Sequence, residues 1–264
     1  MKKIIALLLC LIFVLSFAAC SSGNTNEDDS TTDTTKKIDM RDLTEKDESG
    51  DKTDTAPAGL VPCVIDKEQG DKYSEIVVGQ KVEGHEEEEI VTEGTFTTLF
   101  DEYSEKERYY VWGYSDKDMK ECWQWELCIK KNSSLPKNGS LVTLSGKIEQ
   151  SDDALDKIWL TDPSMTVKTN YDGKSYDVDL SVMSPTLARV QVSYLFSFND
   201  RFEDKTIAVY GKVVSENLVG HPTNNDSWQM HFETDSKVPK AGKLVLITGV
   251  FCDGMIKEAT VTAC

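Results

Sequence analysis

Residues 125–149 read WELCIKKNSSLPKNGSLVTLSGKIE, and residues 228–252 read WQMHFETDSKVPKAGKLVLITGVFC. Laid side by side without a gap, at a spacing of 103, they coincide at Trp125 and Trp228, Ser133 and Ser236, and Pro136-Lys137 and Pro239-Lys240. Gly139 and Gly242, Leu141-Val142 and Leu244-Val245, and Gly146 and Gly249 coincide as well. Apolar character is kept from Leu127 to Met230, Ile129 to Phe232, Leu135 to Val238, Leu144 to Ile247 and Ile148 to Phe251. Self-similarity at a fixed separation marks a repeated structural unit, so the chain is read as two copies of one domain.

Each copy alternates. Trp123, Trp125, Leu127 and Ile129 interleave with Cys122, Gln124, Glu126 and Cys128. Trp228, Met230 and Phe232 interleave with Gln229, His231 and Glu233. A period of two marks half-buried strands. The Pro-Lys-x-Gly segment is a turn, and strands over 141–148 and 244–251 follow it. Asp253-Gly254 is a tight-hairpin signal leading into a last strand over 255–262. In the first copy the matching connection, 150–157, is longer and acidic, and Ile158-Trp159-Leu160 opens its last strand.

Upstream, each copy has a long strand with an internal glycine, 90–99 with Gly94 and 205–214 with Gly211. Such a glycine marks a bend, a bulge or a close approach, and a bent first strand shared between two sheet edges closes a small barrel. Between the copies, Asn170 to Lys174 reads as a hairpin turn. Ser184-Pro185 reads as the cap and first residue of a helix. Leu187, Val190, Tyr194, Leu195 and Phe198 fall at helical spacing, while Val190, Val192, Tyr194 and Phe196 also alternate, so a strand stays open there. The element order resembles the OB-fold, a five-stranded Greek-key barrel. Lys205 to Val213, Pro239 to Gly249 and Tyr176 to Leu180 resemble OB-fold-like lipoproteins of Gram-positive bacteria, including those described as tRNA-anticodon-domain-like. The resemblance covers most of 170–264 and, more loosely, 88–166. It implies a mainly β chain with tandem five-stranded OB-like barrels, the second preceded by a helix. It transfers no functional residue, because fold does not carry function.

The N-terminus sets the location. Met1-Lys2-Lys3 is a short basic start, and Ile4 to Ala19 is an apolar run ending at Ala18-Ala19-Cys20. This is the pattern of a secretory signal, and it is short for a transmembrane helix, which needs about 20 residues. The run resembles the lipobox of bacterial lipoproteins, with Phe17 where leucine usually stands. That resemblance implies cleavage before Cys20 and attachment of acyl chains of the palmitate type, more than one of which anchors a protein stably. The expected location is the extracytoplasmic face of the cell membrane. Residues 20–58 are rich in Ser, Thr, Asp, Glu and Lys, a composition that cannot offset its ordering entropy, so they read as a disordered acidic tether. The organisation is therefore a signal peptide at 1–19, a tether at 20–58, an OB-like domain with an N-terminal extension at 59–166, and a hairpin, helix and second OB-like domain at 167–264.

The formal charge of −17 becomes −19 once Lys2 and Lys3 leave with the signal. That field repels phosphate backbones and anionic lipid, so nucleic acid is a disfavoured partner. Of the cysteines beyond the lipid site, Cys63, Cys122, Cys128, Cys252 and Cys264 are odd in number, which leaves at least one thiol outside any internal bridge. Cys122 and Cys128, six residues apart on one strand, lie about 20 Å apart and cannot pair.

Candidate chemistry is sparse. His85, His221 and His231 are the only histidines and none has a metal-ligand spacing partner, so neither a metal nor another cofactor is expected. No serine stands in a nucleophile elbow and no glycine loop cradles phosphate. The remaining candidate is an aromatic row, Tyr110, Trp112 and Tyr114 on one face of a strand, able to hold a sugar or peptide if that face is outward. The leading expectation is a non-enzymatic binding protein of the envelope, recognising a protein, a peptide or a glycan. A hydrolase of envelope or extracellular polymers would require two carboxylates converging in a cleft. Single-stranded nucleic-acid binding would require a basic stripe around Lys117, Lys120, Lys130 and Lys131.

Overall fold

The computed structural model describes residues 63–264 except 81, 87, 118, 131–132, 151–156 and 224–226. The expected signal peptide at 1–19, the expected lipid site at Cys20 and the expected tether at 20–58 lie outside the described residues. No helix among the described residues is long and apolar enough to cross a membrane.

The chain is mainly β. An opening helix, α1 (Lys67–Val77), is followed by β1 (Glu89–Asp101), β2 (Lys106–Tyr114), β3 (Cys122–Leu127), β4 (Leu141–Gln150) and β5 (Ile158–Thr169). These five strands form a closed barrel in the order β1-β2-β3-β5-β4. β3 meets β5 in parallel at Leu127 and Leu160, and every other pair is antiparallel. The arrangement fits an OB-fold. Ile90, Phe96, Val111, Trp125, Leu127, Val142, Leu144, Ile148 and Leu160 fill the interior, as the period-two reading requires. Helix α1 covers one end. The Asp66 carboxylate caps it by accepting from the Glu68 amide at 2.9 Å, and Tyr73 sets its ring edgewise against Trp123 and Trp125 at 5.4 and 5.3 Å.

The second half begins with β6 (Val178–Asp179), a 3₁₀ turn (Leu180–Val182), α2 (Pro185–Ser197) and α3 (Asn199–Phe202). The helical reading of 185–197 holds. The Ser184 hydroxyl accepts from the Leu187 amide at 3.1 Å, with Pro185 in the first helical turn. The hairpin expected at 170–174 does not form, because β6 pairs in parallel with β7 and not with β5. Tyr171 is buried instead against Gly139, under the Lys137 ammonium. Then come β7 (Lys205–Ser215), β8 (Leu218–Gly220), β9 (Gln229–His231), β10 (Leu244–Cys252) and β11 (Met255–Ala263). They run β11-β10-β7-β8-β9 as an open path, whose two ends touch through a parallel bridge between Phe232 and Ile256. Asp253 and Gly254, both at positive φ, make the tight β10–β11 hairpin.

Register ties the two sheets together. Gly94 stands opposite Val142, and Gly211 opposite Val245. Gly139 and Gly242 take φ of +86° and +90°, and their amides donate to the Phe96 and Val213 carbonyls, both at 2.8 Å. From the turn glycines through β4 and β10 the spacing of 103 holds, while the first-strand glycines stand 117 residues apart. Along β3 and β9 it does not. Trp123, not Trp125, reaches Gly94, and Trp228 reaches Gly211. Val111 pairs with Trp125, while Val219 pairs with Met230. Trp228 is thus the counterpart of Trp123, and the gapless alignment slips by two residues in the loop before β4. A slip of two keeps every side chain on its face, which is why the sequence pattern conceals it.

A Cβ on Gly94 would lie 2.5 Å from Val111 Cγ1, 2.8 Å from the Trp112 carbonyl and 2.9 Å from Trp123. Gly94→Ala is expected to lower stability by about 2–3 kcal/mol through overpacking, read from urea unfolding. Gly242→Ala meets no atom within 4 Å and is expected to cost only the left-handed backbone strain, about 1–2 kcal/mol.

Candidate binding groove

The aromatic row is not a free surface. Tyr110, Trp112 and Tyr114 are 7%, 2% and 8% exposed. They stand on the outer side of β2, flanked by Thr95 and Thr97 of β1 and by Gln124 and Glu126 of β3, and the second half of the chain covers them. The Trp112 indole donates to the Val182 carbonyl at 3.1 Å. Ser184 donates to the Gln124 side chain at 2.7 Å. Leu99 and Tyr110 belong to the same apolar cluster as Leu187, Leu195 and Phe251. Sequence alternation correctly puts the three rings on one face, but cannot show that the chain itself covers that face.

One carboxylate organises the polar margin of this interface. Asp101 accepts from Arg108 Nε and Nη2 at 2.9 and 2.6 Å, from the Ser104 hydroxyl at 2.8 Å and from the Tyr194 hydroxyl of α2 at 3.2 Å. Arg108 also reaches Glu126 at 3.3 Å. Burial pushes the Asp101 carboxyl up, but the bonds from Ser104 and Arg108 outweigh it and hold it down at about 2. Asp101 and Glu126 do converge between the halves, as a two-carboxylate hydrolase would need. Both are held by one guanidinium, and Asp101 is held ionised, the opposite of a proton donor.

The basic stripe is also broken. Lys117 and Lys120 lie in the β2–β3 loop before β3, and Lys130 lies beyond its other end. Six residues of strand separate the two groups by about 20 Å. Lys130 is paired with Asp162 at 2.5 Å, and Lys131 lies outside the described residues. His85 pairs with Glu88 at 2.7 Å. The Glu203, Asp204 and Cys252 ligand atoms lie within 4.8 Å of one another, a grouping that no sequence spacing announces. The Glu203 carboxylate there already accepts from the Asp253 amide at 3.2 Å. None of the five described cysteines is bridged to another.

The open feature is a groove of about 580 Å³ where β3 ends. The β3–β4 loop forms one wall with Ile129, Lys130 and Ser133–Pro136, and β5 forms the other with Asp162, Pro163, Met165 and Val167. Ile129 and Met165 pack on the barrel core from outside it, so the floor is apolar. Leu135 and Val167 are over a third exposed. Among the described residues of the lining the one carboxylate is Asp162, lowered by its bond to Lys130. A smaller groove of about 490 Å³ in the second half lies between the β7–β8 turn at Glu216-Asn217 and Phe232–Val238, and no residue of β11 lines it. The chain matches no known family model, and no curated protein resembles it in sequence.

Two buried groups make stability depend on pH. Burial, with Lys212 and Arg189 nearby, lowers His221 from 6.5 to about 4, and its Nδ1 accepts from the Thr223 amide at 3.2 Å. Both His221 and Asp101 bind protons more readily in the unfolded chain, so acid destabilises the fold. Stability is expected to fall between pH 6.5 and 4 as His221 protonates on unfolding, then again as pH drops towards about 2 through Asp101. In urea titrations across pH, His221→Asn removes the first limb. Asp101→Ala removes the second and costs about 3 kcal/mol at neutral pH by leaving Arg108 half paired.

Proposed function

We propose that this protein is a lipid-anchored, non-enzymatic binding module on the extracytoplasmic face of a bacterial membrane. In this reading it consists of two OB-type barrels, carried on an acidic tether from Cys20, and it receives an envelope partner in the groove between the β3–β4 loop and β5. The observation that carries the binding role is the groove itself. It offers apolar side chains on both walls and a single carboxylate already neutralised by Lys130. Such a lining suits contact with a partner's side chains and lacks the paired groups of acid–base catalysis. The chain charge of −17 opposes nucleic acid as that partner. The lipobox-like segment supports the anchor, and the shared registers and the Phe232–Ile256 bridge support the second barrel.

Intact mass of membrane-extracted protein tests the anchor. Loss of residues 1–19 with a gain of diacylglycerol mass is expected, and Cys20→Ala abolishes both; a retained N-terminus refutes it. For the groove, a photo-crosslinking amino acid replaces Leu135 or Val167 in the anchored protein on intact cells. A discrete cross-linked species is expected at both positions and not at exposed Val91. Equal labelling at Val91, or none at the groove, overturns the binding role.

A further inference from the structure

We infer that the groove takes its partner as an added β-strand, an extended basic peptide segment whose main chain pairs with the free edge of β5. The inference rests on the binding reading above and specifies how the partner is held.

The main-chain directions follow from the ladder. The Ile148 amide donates to the Glu88 carbonyl, and the Ser140 carbonyl accepts from Phe96, so even-numbered residues of β4 turn their main-chain groups towards β1. Odd-numbered residues turn theirs towards β5, where Ser145 stands opposite Ser164 and Thr143 opposite Thr166. Alternation then aims the N–H and C=O groups of Met165 and Val167 away from β4. On that side β5 meets β3 only at Leu127 and Leu160, extended by the bond from the Cys128 amide to the Leu160 carbonyl. Among the described residues, none bonds to the main chain of Met165 or Val167 on this edge. An edge with unpaired donors and acceptors is a template for another strand, and strand addition is an established mode of peptide recognition.

The second half shows what belongs there. Each last strand carries a bulge with a residue at positive φ, Asp162 opposite Gly146 and Glu258 opposite Gly249. The next residue is Pro163 in one and Ala259 in the other. Around Ala259 the chain's own segment fills the edge. The Glu233 amide donates to the Ile256 carbonyl at 2.8 Å, the Ala259 amide to the Glu233 carbonyl at 2.9 Å, and the Thr234 hydroxyl to the Ala259 carbonyl. Pro163 has no N–H to give, so the matching closure cannot form. The β3–β4 loop stands off, and the strip from Met165 to Val167 stays open beside the apolar wall of Ile129 and Leu135. An incoming strand would place alternate side chains on that wall. With the chain at −17, a basic segment is drawn in and an acidic one repelled.

The test uses the full mature chain and three capped peptides: alternating lysine–valine, the same peptide N-methylated on alternate amides, and alternating glutamate–valine. Amide hydrogen exchange is followed by NMR. The lysine–valine peptide is expected to slow exchange at Met165 and Val167 by about tenfold or more, and the other two to bind at least about tenfold more weakly. Equal binding of the N-methylated peptide, protection confined to other residues, or no protection at all overturns strand addition. Cross-linking at Leu135 on cells registers any groove partner however it is held. If it persists while these peptides fail, strand addition falls and the binding role stands; if both fail, both fall.

Discussion

In each half, the second strand and an indole press on one glycine of the long first strand, and the rest of the sheet is set by that contact. Val111, the Trp112 carbonyl and Trp123 leave no room for a side chain at Gly94, and the Gly220 carbonyl, Val219 and Trp228 leave none at Gly211. Once the glycine is seated, its cross-strand partner is Val142 or Val245, and the turn before β4 or β10 must deliver that valine in register. Gly139 and Gly242 do so from the left-handed region, which only glycine enters cheaply. The packing across the first strand therefore determines the glycine, the glycine the register, and the register the start of the fourth strand. A strand that slipped by one residue would turn its whole apolar set outward.

The same barrel gives up its most aromatic surface to hold the chain together. Tyr110 and Trp112 pack against the segment leading into α2, and the Asp101–Arg108–Tyr194 bonds close the margin. Burying three large rings supplies apolar area that a small barrel and a small sheet lack when separate. It also removes that face from binding. The open groove lies instead at the barrel end, where the β3–β4 loop and β5 diverge.

Much of this was legible in the residues, for identifiable reasons. Strand positions followed from alternation, the helix after Ser184 from its cap, and the matching turn glycines Gly139 and Gly242 from the coincidences around Pro136 and Pro239. The two-residue slip at Trp228 was hidden because it preserves both character and face. Helix α1 escaped because Gly70 and a run of charged residues mask the spacing of Tyr73 and Ile76, although Asp66 was a usable cap signal. The aromatic row was correctly placed on one face, but alternation says which residues share a side and not what covers it. Nothing local could reveal that Val182 and Tyr194, about 70 to 90 residues later, would lie there. The groove was invisible for the same reason, since its walls come from segments some thirty residues apart.

The contrast between Pro163 and Ala259 carries this reasoning furthest. The last strands of the two halves share a bulge, a glycine opposite it and a positive φ, and they differ in whether the next residue owns an N–H. Where it does, the chain seals its own sheet edge. Where it does not, the edge remains unsealed for want of a single donor. Proline on an edge ordinarily discourages pairing, and here it prevents pairing with the wrong partner, the protein's own loop. The residues beyond it, Met165 and Val167, keep both donors and acceptors. A proline placed at the start of an open strip thus keeps a short, defined length of edge accessible while the rest of the barrel is closed. One residue at a bulge is thus enough to leave a sheet edge open without altering the core beneath it.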